Sequence, residues 1–173
     1  MKNNSAIKII LVIACLTIGV LLHSGCGIYS FTGASVSADV ATFSVSTFED
    51  NLLTNPNLSQ LLTDELINEL TANTNLSPVR LDGDLKFEGK ITRYQITPVT
   101  TTTASSAAQS RLTIEVAVKF VNETETDKNF EQRFSDFEDF DQSINFSTVE
   151  ASLVSEINER IINKIFNKAL VNW

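Results

Sequence analysis

Polar and apolar residues alternate with the period of β-strands over much of residues 85–141. Residues 112–120 show the clearest alternation in the chain, and residues 85–98 show it with a change of face that predicts a β-bulge. Residues 130–141 form a further, aromatic strand whose spacing fits no single period, so we expect a bend or bulge there. The small polar residues 100–110 predict a loop that joins the strand at residues 85–98 to the strand at residues 112–120. Residues 122–129 predict a charged turn.

Two other segments have helical periodicity. Asn55 is an N-cap candidate followed by Pro56, and leucines then recur at helical spacing to about Asn73. This apolar stripe comprises Leu58, Leu61, Leu62, Leu66 and Leu70. A longer C-terminal helix is predicted to begin with a capping box formed by Ser147 and Glu150. Its apolar face comprises Leu153, Ile157, Ile161, Ile162, Ile165, Phe166, Leu170 and Trp173.

Residues 39–48 are rich in β-branched and aromatic side chains and predict the first strand. A short extra strand is expected at residues 79–81. The resulting order is β-α-β-β-β-α, in which half-alternating strands bury one sheet face and two amphipathic helices suffice to cover it. We therefore predict an α+β fold for residues 39–173, a two-layer sandwich with an antiparallel or mixed sheet and both helices on one face.

The N-terminus has the layout of an export signal. Lys2 and Lys8 precede an apolar run from Ile9 to Leu22, which is shorter than the roughly 20 residues that span a bilayer. The residues that end at Cys26 resemble the lipobox of bacterial lipoproteins, where a peptidase cuts before a cysteine that carries lipid. We therefore predict a signal peptide at residues 1–25 and lipidation of Cys26.

The N-terminal sequence also permits other processing. A rival lipobox ends at Cys15, but cleavage there would leave an apolar run at the new N-terminus. The alternatives are an ordinary cleaved signal or an uncleaved anchor, either of which leaves Cys26 as a free thiol. Residues 26–38 are small and polar except for aromatic residues such as Tyr29 and Phe31. They predict a tether that lets the domain stand off the membrane, with docking by those aromatics as an option.

The amino-acid composition argues against several classes of function. The 173 residues include 21 acidic and 13 basic side chains, a net charge of −8, which argues against nucleic-acid binding. The single histidine, His23, lies within the predicted signal peptide, so the processed chain lacks the residues of a Ser–His–acid triad or a usual His/Cys zinc site. We expect no cofactor and no enzyme activity, although paired carboxylates leave an acid–base enzyme formally open.

The ordered motifs of the whole chain resemble the lipopolysaccharide-assembly lipoprotein family LptE. The pieces that carry the resemblance are residues 26–33 (CGIYSFTG), 55–60 (NPNLSQ), 83–89 (GDLKFEG), 111–114 (RLTI) and 130–134 (FEQRF). The resemblance implies a lipoprotein on the periplasmic side of the outer membrane. It also implies a domain that plugs a large outer-membrane β-barrel, its partner, and helps insert lipopolysaccharide into the outer leaflet.

Basic side chains on neighbouring strands are candidates for contact with lipopolysaccharide or a partner. They are Lys86, Lys90, Arg93, Arg111 and Lys119. They would form a local positive patch, or they would lie dispersed on solvated strand faces. The main alternative to a barrel plug is a lipoprotein that carries a lipid or glycan in a groove of its own.

Overall fold

The computed structural model describes residues 36–52, 55, 57–99 and 108–171. The predicted signal peptide, Cys26 and most of the predicted tether lie outside these residues, as do Pro56, most of the predicted loop at residues 100–110, and Trp173. Among the helices of the described residues, none is both long and apolar enough to cross a membrane.

The described residues form a mixed sheet of six strands. In chain order these are β1 (Thr42–Val45), β2 (Glu49–Asp50), β3 (Ser77–Pro78), β4 (Leu85–Val99), β5 (Gln109–Asn122) and β6 (Phe130–Asp141). The sheet order is β3-β1-β4-β5-β6, and β2 also pairs with β4. The pairs among β1 to β4 are parallel, whereas β4, β5 and β6 are antiparallel.

The β4–β5 pair contains the predicted β-bulge. The two strands pair along nearly their whole lengths, and the register shifts between Ile91 and Arg93. Thr92 is the extra residue, so Ile91 and Tyr94 both face the helices although they are three residues apart. The bulge therefore accounts for the change of face in the sequence pattern.

Two helices, α1 (Leu58–Asn73) and α2 (Phe146–Leu170), pack on one face of the sheet and against each other. Inner residues of β4 and β5 form the core with both helices, so the predicted two-layer α+β sandwich is confirmed. The fully buried leucines of α1 are Leu58, Leu62, Leu66 and Leu70. Leu61, expected in the same stripe, is instead 42% exposed. Thr63 is buried in that turn, where its hydroxyl accepts a hydrogen bond from the Phe48 amide at 3.1 Å.

Both helix starts differ from the prediction. Helix α1 has Asn57 as its N-cap, and the side chain of Asn55 accepts a hydrogen bond from the Asn57 amide at 3.1 Å. Helix α2 is capped by Asn145, whose side chain accepts from the Ser147 amide. The predicted capping box is wrong, because the Ser147 amide donates to Asn145 and not to Glu150.

The Glu150 carboxylate instead joins three elements. It accepts hydrogen bonds from the Tyr94 hydroxyl of β4 at 2.5 Å and from the Asn55 side chain at 3.0 Å. Burial and this bond to a carboxylate raise the pKa of Tyr94 well above its ordinary value. The network links β4 to the start of both helices.

The first predicted strand, residues 39–48, is shorter and divided in the structure. β1 covers Thr42–Val45, and the chain leaves the sheet before it pairs again at β2. The entry to β1 is fixed by Asp84, whose carboxylate accepts hydrogen bonds from the Ala41 and Thr42 amides at 3.0 and 2.9 Å. The extra strand predicted at residues 79–81 lies at Ser77–Pro78 instead.

Of the bend or bulge predicted in β6, the bulge is wrong. The register of β6 with β5 is constant along the whole strand. Its apolar residues are irregularly spaced because Asp136 and Glu138 occupy inner positions. The Arg160 guanidinium of α2 lies 3.0 Å from the Asp136 carboxylate and 2.7 Å from the Glu138 carboxylate. Phe137, between them, faces outward.

The chain between β1 and β2 approaches β4 closely at Gly89. The buried ring of Phe48 lies over this glycine, and a Cβ atom there would sit 2.3 Å from two ring carbons. Real Cβ atoms do not come this close, so a side chain at position 89 would force the ring to move.

We expect Gly89→Ala to lower the free energy of unfolding by about 2 kcal/mol, because the buried Phe48 ring has no free space to occupy. Urea denaturation of the parent and variant measures the loss. In a Phe48→Leu background, which removes part of the clash, the same substitution should cost less than about 0.5 kcal/mol. An equal loss in both backgrounds would contradict the proposed contact.

Candidate partner-binding face

The side of the sheet opposite the helices presents polar side chains from three long strands. We call this surface of β4, β5 and β6 the outer face. Its residues alternate with the buried core positions, as Arg111 and Thr113 do with Leu112. All five basic residues singled out in the sequence lie on it: Lys86, Lys90, Arg93, Arg111 and Lys119. The structure therefore places the candidate residues on one surface.

Three of the five basic residues are paired with acidic neighbours. The Lys119 ammonium lies 3.3 Å from the Glu88 carboxylate across the β4–β5 pair. Lys86 lies 2.8 Å from Glu123, and the hydrogen bond to that carboxylate raises its pKa. These pairs make the surface a mosaic of both signs of charge rather than the positive patch considered from the sequence.

Arg111 makes the best-formed pair on the outer face. Its guanidinium donates two parallel hydrogen bonds to the Asp139 carboxylate, at 2.7 and 2.9 Å. These bonds raise the pKa of Arg111 and lower the pKa of Asp139. The same guanidinium lies 3.6 Å from the centre of the Phe137 ring, in the geometry of a cation–π contact. The result is an ordered aromatic and charged cluster on an otherwise polar surface.

Lys90 and Arg93 differ from the other three. Both are exposed, and no carboxylate of the described residues lies within 4 Å of either cation. Arg93 stands opposite Glu115 in the register, but that carboxylate accepts a hydrogen bond from the Thr92 hydroxyl at 2.8 Å. Among the five candidates, these two cations are the ones available to pair with an external anion.

Sequence reasoning missed two residues of this surface. Phe137 is 45% exposed, and Arg133 on the same strand has a largely exposed side chain 3.7 Å from Glu115. The expectation of a bulge in β6 hid them. A strict two-residue period counted from Phe130 and Phe134 would have placed both on the outer face.

A different polar groove lies between α1 and α2. It holds about 350 Å³ and is lined by Glu65, Glu69 and Asn68 of α1 and by Ser155 and Glu159 of α2. Burial raises the pKa of Glu65 to about 7, and repulsion from Glu159 acts in the same direction. Within the described residues, no group of three or more His, Cys, Asp or Glu side chains is arranged to hold a metal ion.

A comparison with protein-family models shows the family to which this chain belongs. The lipopolysaccharide-assembly family LptE matches residues 40–169. The match covers most of the chain, including every strand and nearly all of α2. The chain therefore belongs to the LptE family, a non-enzymatic family of lipopolysaccharide-assembly lipoproteins, as the sequence motifs predicted.

Solved structures share the fold at low sequence identity. A hypothetical protein from Chlamydia trachomatis has a TM-score of 0.51 and 6% identity, over 75% of this chain and 98% of that chain. The rare lipoprotein B from Shewanella oneidensis has a TM-score of 0.50 and 14% identity, over 72% and 91%. A protein from Xanthomonas campestris has a TM-score of 0.50 and 9% identity, over 74% and 84%. No curated protein sequence matches the chain.

The shifted carboxyl of Glu65 predicts a pH-dependent stability. Between about pH 5 and 7 the folded chain retains a proton that the unfolded chain releases near pH 4.5, so the free energy of unfolding should fall as pH rises. Because Glu65 is only partly buried, screening by water should limit the loss to about 1 kcal/mol. Urea denaturation at pH 5 and pH 8 measures it.

Glu65→Gln should remove this part of the pH dependence, because the amide has no charge to bury. The exposed Glu156 of α2 offers a matched control, and Glu156→Gln should leave the pH dependence as in the parent. If Glu65→Gln retains the full difference between pH 5 and pH 8, the assignment to Glu65 is wrong.

Proposed function

We propose that this protein is an outer-membrane lipoprotein that plugs a large β-barrel and helps that barrel insert lipopolysaccharide into the outer leaflet. Lipid on Cys26 would hold the domain on the periplasmic side of the membrane. The observation that carries the proposal is the outer face, a broad polar surface left uncovered by both helices in a chain of the LptE family.

The dimensions of the outer face suit a protein interface. Three strands about 4.8 Å apart, with about 3.3 Å per residue along 12 to 15 residues, give a surface of about 600 Å². This approaches the roughly 800 Å² that each partner contributes to a standard interface. The lumen of a membrane β-barrel is polar, so a polar surface on which Lys86, Arg111 and Lys119 are already paired matches it. Lys90 and Arg93 would take anionic partners from outside this chain.

The cluster of Arg111, Phe137 and Asp139 is the natural anchor of such an interface. Aromatic and arginine side chains dominate binding energy when they become fully buried against a partner. The Arg111 guanidinium is already held by Asp139, so little side-chain entropy would be lost on binding. Residues 100–107, which lie outside the described residues, join β4 to β5 at the end near this cluster and would also contact the barrel.

We expect Phe137→Asp to weaken recovery of the barrel at least tenfold when the lipoprotein is isolated in mild detergent, because it removes an aromatic anchor and adds an unpaired charge. Ile144→Asp is a matched control, since Ile144 is equally exposed, at 45%, but lies in the loop between β6 and α2. Quantitative immunoblotting of the co-purified barrel measures the effect. Equal barrel recovery with both variants would count against the outer face as the interface.

We further propose that lipopolysaccharide phosphates contact the outer face at its basic residues. Lys90 and Arg93 carry most of this contact because their charges are not neutralised by described carboxylates. Lys86, Arg111 and Lys119 would contribute less, since each is already paired. The strongly acidic domain would keep the overall affinity modest, so the two cations act on the ligand locally.

Lys90→Glu and Arg93→Glu should each weaken binding of purified lipopolysaccharide about fivefold, because a cation near an anionic lipid surface contributes about 1 kcal/mol. The effect should shrink in 0.5 M salt. Lys119→Gln serves as the control, because Lys119 is paired with Glu88. Titration with lipopolysaccharide in detergent measures the affinities, and equal losses in all three variants would refute the assignment.

The alternative of a lipid carrier finds less support. Four surface grooves of the described residues hold about 340 to 450 Å³ each and are open to solvent. Sites that carry a small molecule enclose most of its surface, and these volumes lie at the small end of the usual range. A lipid with several acyl chains would remain largely exposed in any of them.

A further inference from the structure

A row of cations on α2 follows the edge of β6. Successive members are four residues apart and share one side of the helix: Arg160, Lys164 and Lys168. Arg160 donates to the Phe137 carbonyl at 2.8 Å, and Lys164 donates to the Ser135 carbonyl at 2.7 Å. Four helical residues rise about 6 Å and two strand residues about 6.6 Å, so the next step of the row sets Lys168 beside Arg133.

These carbonyl contacts also show which way the backbone of β6 points. In a strand, the N–H and C=O groups of one residue point to the same side, and those of the next residue point to the opposite side. Since the Ser135 and Phe137 carbonyls face α2, the backbone amides of Arg133 and Ser135 face it too. Neither amide has a hydrogen-bond partner among the described residues.

A groove of about 450 Å³ lies between this edge of β6 and α2. The charged residues of its lining are all basic, namely Arg133, Lys164 and Lys168, and the side chains of Gln132 and Asn167 add further polar groups. Each of the other three grooves of the described residues has at least one carboxylate in its lining. In a chain with a net charge of −8, this groove therefore stands out as a site for an anion.

The cations of the groove have donors left for a ligand. An ammonium group has three N–H donors, and Lys164 uses one on the Ser135 carbonyl and one on the Asp136 carboxylate, which lies 2.8 Å away. The Arg133 guanidinium lies 3.7 Å from the Glu115 carboxylate, too far for a hydrogen bond, and its side chain is 71% exposed. The groove therefore combines unpaired backbone amides with partly unsatisfied cations.

We propose that this groove binds a phosphate group, carried by a phospholipid headgroup or by a small soluble phosphate ester. Lysine ammonium groups and backbone N–H groups at a sheet edge are donors that suit an anion of this kind. Lys164 and Lys168 balance the charge of the phosphate, and the backbone amides of Arg133 and Ser135 donate to its oxygens. The volume admits a headgroup and leaves any acyl chains outside.

The phosphate site is separate from the outer face. It lies at the edge of the sheet, and only Arg133 borders both surfaces. A phosphate can therefore bind in the groove while a partner covers the outer face. The inference does not depend on the barrel or on lipopolysaccharide, because every donor of the site belongs to this domain.

NMR of the full chain in non-ionic detergent micelles, titrated with sodium phosphate at constant ionic strength, tests the proposal. We expect saturable chemical-shift changes at the backbone amides of Arg133 and Ser135. Lys168→Gln should weaken the phosphate affinity about tenfold, because it removes a charged hydrogen-bond donor. Arg80→Gln is the matched control, since it removes one exposed positive charge just after β3, at the opposite edge of the sheet, and should leave the affinity unchanged.

Displacement of the bound phosphate identifies its source. Displacement by phosphatidylglycerol added to the micelles assigns the groove to lipid headgroups, whereas displacement by glycerol 3-phosphate alone assigns it to soluble esters. Displacement by neither would overturn the proposal. So would shifts that grow without saturation, or equal losses of affinity in Lys168→Gln and Arg80→Gln, which indicate a response to net charge alone.

Discussion

The antiparallel pairing of β4 with β5 is the interaction on which the rest of the structure depends. It joins two strands of 15 and 14 residues, and every other strand of the described chain pairs directly or through one neighbour with them. The single bulge at Thr92 keeps the apolar residues of both halves of β4 on the helix side. Without it, Tyr94 and Ile96 would turn to the outer face, and the network through Glu150 that holds both helix starts could not form.

The parts of the fold that follow from periodicity were predictable from the sequence. Alternation located β4, β5 and the bulge, and the leucine and isoleucine stripes located both helices, because burial on one face imposes these periods directly. The errors lie where a polar contact from a distant element replaces a local one. Glu150 belongs to a network with Tyr94 rather than to a capping box, and Asp136 occupies an inner position because Arg160 reaches it from α2. In both cases the partner is distant in the sequence, so no local pattern could have predicted the contact.

The outer face was also only partly predictable from the sequence. The alternation of β4 and β5 was sufficient to put five basic residues on one face, but not to show which of them retain a free charge. That depends on the register, which sets Lys119 beside Glu88 and Arg111 beside Asp139. The pairing of Lys86, Arg111 and Lys119 lowers the electrostatic cost of covering that part of the surface, since a paired charge that loses water keeps its partner. At these three positions it favours contact with a polar protein wall over strong attraction to an anionic lipid.

Charged side chains stand at both sides of the sheet. Along β6, α2 supplies cations to the open backbone: Lys164 donates to the Ser135 carbonyl at 2.7 Å, and Arg160 donates to the Phe137 carbonyl at 2.8 Å. Charged side chains of this kind protect an edge against pairing with other chains. On the side of β1, Asp64 of α1 and Arg80 line the groove beside Val45. Charges at both sides oppose the addition of a further strand, which favours a partner that covers the outer face over one that extends the sheet.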